Sequence, residues 1–358
     1  MKYKIPVSKP SITSVEKRWV NKALDENKIS SIGGLTEIFE EKFAEKIRVK
    51  HCIAVNSGCS ALFLALWSLG VREGDEVIVP DFTMVATANA VVQCGATPIF
   101  VDVKWRTGNI DPALIEEKIT EKTKMIMPVH IYGHPADMSK IFEVLRGKNI
   151  KMIEDAAEAH GAECGGKKVG TFGCCGCFSF YANKIITTAE GGAIVTNNDT
   201  IASDLRGLRS YYFPKAGHFW HEKSGWNLRM SSLNAAIGIG QLERWEELHE
   251  KRNKIAKYYD KYLEGLVEIP VEEDFAKRVN WYYFIKSPQR DEIEKALERH
   301  RIETRRGFIP MHMQPFLKQD GHFPVSERLM VEGMYLPTFP DLTETEQDEI
   351  IKIIKTVL

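Results

Sequence analysis

The stretch G-T-F-G-C-C-G-C-F-S-F-Y-A-N-K (170–184), continued by I-I-T-T-A-E-G-G-A-I-V-T-N (185–197), decides how this chain is read. It ends on Lys184, a lysine flanked by small and apolar residues and therefore poorly placed as a surface charge. Desolvation lowers a lysine's pKa, and the neutral amine attacks carbonyls. Just upstream, M-I-E-D-A-A-E-A-H-G (152–161) reads as an apolar strand ending in acids. An acid at such a strand end, Asp155, is suited to hold the ring nitrogen of pyridoxal 5'-phosphate (PLP) protonated, which makes that ring an electron sink. Most lysines are snorkelling surface charges, so the pair needs support from the rest of the chain.

Outward from this stretch, apolar runs alternate with helical patterns. Residues 51–56, 76–80, 97–103, 125–130 and 151–156 read as strands. Residues 60–70, 87–95 and 138–149 read as helices between them. This alternation predicts an α/β fold with a mostly parallel sheet covered on both faces. Leu233 to about Leu263 reads as one long charged helix. It leads from a large domain (1–245) to a smaller α+β domain (246–358) with a strand at 281–286 and helices at 291–300 and 346–355.

The 358 residues, 44% hydrophobic, are enough for a large core. A formal net charge of −1 gives no electrostatic case for nucleic acid or anionic membrane. No apolar run approaches the roughly 20 residues that span a bilayer, and the first residues do not read as a signal peptide. An odd count of seven cysteines fits a reduced, cytoplasmic protein. Cys174, Cys175 and Cys177 supply only three sulfurs in an unusual spacing, so no metal is expected.

Many further segments fall in one recognisable order. They are I-P-V-S-K-P-S-I-T (5–13), I-S-S-I-G (29–33), I-A-V-N-S-G-C-S-A-L (53–62), P-V-H-I-Y-G-H-P-A-D-M (128–138) and E-D-A-A-E-A-H-G-A (154–162). F-S-F-Y-A-N-K-I-I-T-T-A-E-G-G (178–192), G-W-N-L-R-M-S-S-L-N-A-A-I-G (225–238), I-E-T-R (302–305), P-M-H-M-Q-P (310–315) and Y-L-P-T-F-P (335–340) complete it. Almost end to end, the chain resembles the DegT/DnrJ/EryC/StrS family of PLP-dependent nucleotide-sugar aminotransferases, most of all its perosamine-type members.

The resemblance implies a fold-type I transferase, a homodimer with shared active sites. Its substrates would be L-glutamate and a nucleotide-linked 4-keto-6-deoxyhexose aminated at carbon 4, with pyridoxamine phosphate formed in turnover. It implies that Lys184 and Asp155 are catalytic. The turn Ser57-Gly58-Cys59-Ser60, an ordinary capped helix start when taken alone, would hold the phosphate at a helix N-terminus. Ser179 would add a hydroxyl, Asn183 would stand beside the lysine, and Asn227 would reach across from the partner subunit. Glu158 would sit near the ring hydroxyl. Where relatives place an aromatic on the ring face, this chain has Met84, so either Met84 or Phe82 covers it. Relatives usually carry Thr where Cys59 stands and often an acid where Cys174 stands. Ser30, Ser31, His160, Arg229, Arg305, His312 and Thr338 match substrate-side positions, and Arg229 either charges the interface or makes an ion pair. Three rival readings are a carbon-3 aminotransferase, a PLP-dependent sugar dehydratase, and an inactive regulator of the same fold. Dehydratases of this kind carry His in place of the lysine, and the intact Asp155, Ser179, Lys184 and Asn227 oppose a dead scaffold.

Overall fold

The structure, a computed structural model, describes residues 3–213, 219–221 and 223–358. Two N-terminal helices, α1 (Ser14–Asp25) and α2 (Leu35–Ile47), precede β1 (His51–Val55). Helix α3 (Gly58–Ser68), β2 (Glu76–Pro80), α4 (Ala86–Gln93), β3 (Thr97–Val101), β4 (Thr123–Ile126), α5 (Met138–Leu145) and β5 (Lys151–Asp155) follow. Then come β6 (Cys175–Ser179), β7 (Gly192–Thr196), α6 (Asp199–Leu208), α7 (Ser232–Glu243) and α8 (Trp245–Leu263).

The seven strands form one sheet in the order β1-β7-β6-β5-β4-β2-β3. Strand β7 alone is antiparallel, pairing Ile53 with Ile194 on one side and Cys177 with Ile194 on the other. The other strands run parallel to one another, so their carboxyl ends share one edge. These strands are nearly continuous apolar runs because both faces are covered. Alternate residues feed opposite layers. Ile53, Val55, Val77, Val79, Cys175, Cys177 and Ile194 pack beneath α3 and α4. Cys52, Ala54, Phe178, Ala193 and Val195 pack with Phe39 and Phe43 of α2 on the other face. Two of the clustered cysteines, Cys175 and Cys177, are thus core residues on one face of β6. Among the described residues, no three His, Cys, Asp or Glu side chains gather as a metal set.

The expected long helix is two helices. Arg244 leaves the helical conformation (φ −103°, ψ 16°). Its buried guanidinium turns back to α1, donating to Glu16 Oε1 at 2.7 Å and to the Ser11 carbonyl at 3.0 Å. A charge needing a partner some 230 residues away overrides the local helical pattern. Strand β4 ends at Ile126 rather than near residue 130, where the chain turns into the site.

The remainder adds β8 (Tyr283–Lys286), α9 (Arg290–Arg299), β9 (Arg305–Arg306), α10 (Pro324–Glu332), β10 (Gly333–Leu336) and α11 (Glu344–Val357). The sheet β8-β10-β9 and helices α8, α9 and α11 bury Tyr259, Tyr283, Ile293, Leu297 and Ile354 in a separate cluster. Ile5 belongs to this cluster and bridges Ile302, so the N-terminal segment is held by the C-terminal part of the chain. Among the described residues no helix is long and apolar enough to cross a membrane.

Candidate active site

In a parallel sheet the loops at the carboxyl ends of the strands form the natural crevice. Asp155 is the last residue of β5 and is 4% exposed. Its Oδ2 accepts from Thr87 Oγ1 at 2.8 Å and its Oδ1 from the Ala157 amide at 3.1 Å. Burial raises its pKa above the ordinary carboxylate value, and the hydroxyl, the amide and Lys184 only partly offset that. Among the described residues Asp155 has no ion-pair partner. A buried carboxylate so placed is stabilised by a cation brought to it.

At the end of β1, Ser57 caps α3. Its Oγ accepts from the Ser60 amide at 3.1 Å, and Ser60 Oγ donates to Asn56 Oδ1 at 2.6 Å. The first amides of an 11-residue helix have no partner within it, so α3 opens as an anion seat. Ser179, the last residue of β6, lies against this turn. A Cβ built on Gly58 would stand 2.7 Å from Ser179 Cβ, and one on Gly192 would stand 2.3 Å from the Ser57 carbonyl oxygen. Only glycines let the turn, β6 and β7 approach this closely. Cys59 is exposed at the turn.

Lys184 follows β6 by five residues. Its Nζ lies 3.7 Å from the centroid of the Trp281 ring. Burial lowers the amine's pKa below the usual lysine value, against the opposing pull of Glu158, Asp155 and Cys59. Glu158 is 3% exposed, accepts from the Tyr132 amide at 2.7 Å, and is raised by burial to about 7. Its carboxyl is thus poised to share a proton near neutral pH. Asn183 gives its carbonyl to Trp281 Nε1 at 2.9 Å.

Several expected contacts are decided by burial. Phe82 is fully buried among Tyr132, Phe284 and Phe308, so it does not cover a ring in the crevice. Met84, 46% exposed just ahead of α4, is free to do so. His160 is fully buried between Phe178 and Phe180, and burial holds it neutral. Direct substrate contact, expected for His160, is closed to it. Thr338 is likewise fully buried; its hydroxyl donates to the Leu336 carbonyl at 2.9 Å and accepts from the Tyr283 amide at 3.1 Å. Its one donor is spent and burial closes the remaining lone pair to a sugar. His312 is tied to Asp81, with Nδ1 2.8 Å from Oδ2. Arg305 is exposed and pairs with Glu303 at 2.9 Å.

Other candidates come together. Arg229 donates to Ser31 Oγ at 3.1 Å and to Ser210 Oγ at 2.9 Å, hydrogen bonds rather than an ion pair, and Ser30 accepts from the Ser232 amide at 2.8 Å. The 227–229 segment is stitched to the sheet through the Asn56–Leu228 hydrogen bond and the Val55–Arg229 bridge, leaving Asn227 exposed. Thr87 and Trp281 are site residues that no sequence motif marked. Thr87 opens the expected 87–95 helix, one helical turn beyond Thr83. Trp281 looked like an ordinary strand aromatic.

An anion seat, a buried carboxylate awaiting a cation and a low-pKa lysine match the phosphate, pyridinium and aldehyde of PLP in donor chemistry. The profile of the DegT/DnrJ/EryC1/StrS aminotransferase family matches residues 10–355. The GDP-perosamine synthase of Caulobacter vibrioides is 43% identical over 99% of this chain and 98% of its own. That of Escherichia coli O157:H7 is 42% identical over 100% and 98%. Spr1654 of Streptococcus pneumoniae, solved in a PLP form, superposes with a TM-score of 0.93 at 27% identity, covering 99% of this chain and 98% of that one.

Proposed function

The chain belongs to the DegT/DnrJ/EryC1/StrS aminotransferase family, is a PLP-dependent enzyme of fold-type I, and on that premise we propose that it aminates carbon 4 of a nucleotide-linked 4-keto-6-deoxyhexose at the expense of L-glutamate. The observation that carries this reading is the convergence of Lys184, Asp155 and Glu158 at one strand edge, in a chain 42–43% identical throughout to GDP-perosamine synthases.

When bound, PLP would supply the electron sink and the carrier for the amino group. Asp155 would hold the proton on the ring nitrogen, and Thr87 and the Ala157 amide hold Asp155 in place. The helix-start turn Ser57-Gly58-Cys59-Ser60, with Ser179, would hold the phosphate. The backbone amide survives at Cys59 although a hydroxyl is absent. Met84, exposed, would cover the ring face. Glu158 would share a proton at the ring hydroxyl. The amine of Lys184, kept below its usual pKa by burial, takes the proton from the α-carbon of glutamate and returns one at carbon 4 of the sugar. Asn183 fixes the backbone next to the lysine through Trp281. Ser30, Ser31 and Arg229 form the substrate-side patch.

The active unit is a homodimer in which Asn227 completes the partner's phosphate seat. Its exposure on a firmly anchored segment supports this. All seven cysteines are free, in keeping with a cytoplasmic enzyme. The test supplies glutamate with each 4-keto-6-deoxy sugar nucleotide (GDP, UDP or dTDP) and with its 3-keto isomer, and locates the new nitrogen by NMR. Nitrogen at carbon 4 is expected. Amination of the 3-keto compounds alone would replace the regiochemistry with carbon 3.

A further inference from the structure

We propose that Trp281 is a positioning residue that seats the free amine of Lys184 on its indole face whenever that amine is not joined to the cofactor. The inference rests on Lys184 being the cofactor lysine.

The Nζ stands 3.7 Å above the ring centroid, within the range where a cation is drawn to the π-cloud. The ring itself is locked. Its Nε1 donates to the Asn183 carbonyl at 2.9 Å, one residue from the lysine. Its own carbonyl accepts from Arg252 Nη1 at 2.7 Å, and Arg252 also holds the Thr338 carbonyl at 2.9 Å. Tyr282 packs on the ring at 4.4 Å between centroids. Trp281 is 4% exposed. A rigid indole is thus fixed to the very backbone that carries the lysine.

The charged and titratable groups around the amine are Glu158 and Asp155 from β5 and the turn after it, Cys59 from α3, and the neutral His160. Arg252 stands behind the indole. Among the described residues none of the acids forms an ion pair with Lys184. That difference has a chemical consequence. A carboxylate at contact would accept a hydrogen bond and hold the proton on the amine. An indole face attracts the ammonium, accepts no strong hydrogen bond, and loses its hold once the amine is neutral. The lysine is therefore kept in reach while protonated and released when it becomes a nucleophile or base.

The test uses apo-protein of wild type, Trp281→Phe and Trp281→Leu, mixed with PLP. The near-visible absorbance of the covalent lysine adduct is followed, and its rate of formation is recorded against pH. Only the neutral amine reacts, so the midpoint reports Lys184. Removing the indole withdraws support from the cation, so in Trp281→Leu the midpoint should fall by about one pH unit. Trp281→Phe, a weaker ring, should fall by less than half of that. Loosened packing that admits water would move the midpoint the other way, toward an ordinary lysine. A midpoint unmoved or raised in Trp281→Leu overturns the proposal. Should that variant not fold, an unmoved midpoint in folded Trp281→Phe does the same. Lys184→Ala separates the two levels. An equal adduct in that variant, or none in wild type, strikes the cofactor-lysine reading. A normal wild-type adduct with an unmoved midpoint strikes Trp281 alone.

Discussion

Gly58→Ala tests the cofactor seat at its narrowest point. The new methyl would stand 2.7 Å from Ser179 Cβ, 3.1 Å from its Oγ and 3.3 Å from its Cα. Two of those atoms are on or next to the backbone of β6, so no side-chain rotation relieves the contact. Gly58 opens α3, where alanine gains at most about 1 kcal/mol in helix propensity. Overpacking at a site that cannot rotate away costs about 1–3 kcal/mol. Overpacking wins, and a net loss of about 1–2 kcal/mol is expected in urea unfolding of the apo-protein. The larger effect falls on the cofactor. Pushing Ser179 and the turn apart removes a hydrogen bond to a charged phosphate, worth about 1.5–3 kcal/mol, which is about tenfold or more in the Kd for PLP. Absorbance titration of apo-protein with PLP measures it. Wild-type stability together with wild-type PLP affinity would refute the close packing of α3 on β6 as the basis of the phosphate seat.

Asp155→Asn should lower kcat by several orders of magnitude, because a neutral partner no longer favours a protonated ring nitrogen; a rate within about threefold of wild type removes Asp155 from that role. Co-folding an inactive Lys184→Ala chain with an inactive Asn227→Ala chain should restore part of the activity, since one hybrid site holds both native residues; confirmed hybrid dimers without rescue would confine both residues to one chain. For Glu158 the folded pKa of about 7 lies above the ordinary 4.5. Its contribution to stability is therefore fully present below the ordinary value and is lost as pH rises through about 7. Glu158→Gln should flatten the decline in apo-protein stability between pH 5 and pH 8, and an unchanged slope in thermal unfolding would show that this carboxyl does not cause it.

The strand order along the chain was open to direct reading because strands buried on both faces are short, continuous apolar runs. Glu76–Pro80 was read to the residue and His51–Val55 to within one. Lys184 and Asp155 stood out for the same reason, as charges set against apolar runs whose ends must meet at one sheet edge. The alternation rule also separates neighbours: Glu154, on the opposite face to Asp155, is a structural hub accepting from the Gly170, Phe172 and Gly173 amides. What the linear order could not carry was the direction and depth of each side chain. Phe82 and Met84 are two residues apart, yet one is fully buried and the other 46% exposed. His160 and Thr338 sit in site-like motifs but spend their surfaces on the core. Thr87 reaches Asp155 across 68 residues, and Trp281 reaches the lysine loop across 98. Periodicity and local propensity report on neighbours within a few residues, whereas these contacts arise only once the sheet has brought distant segments together.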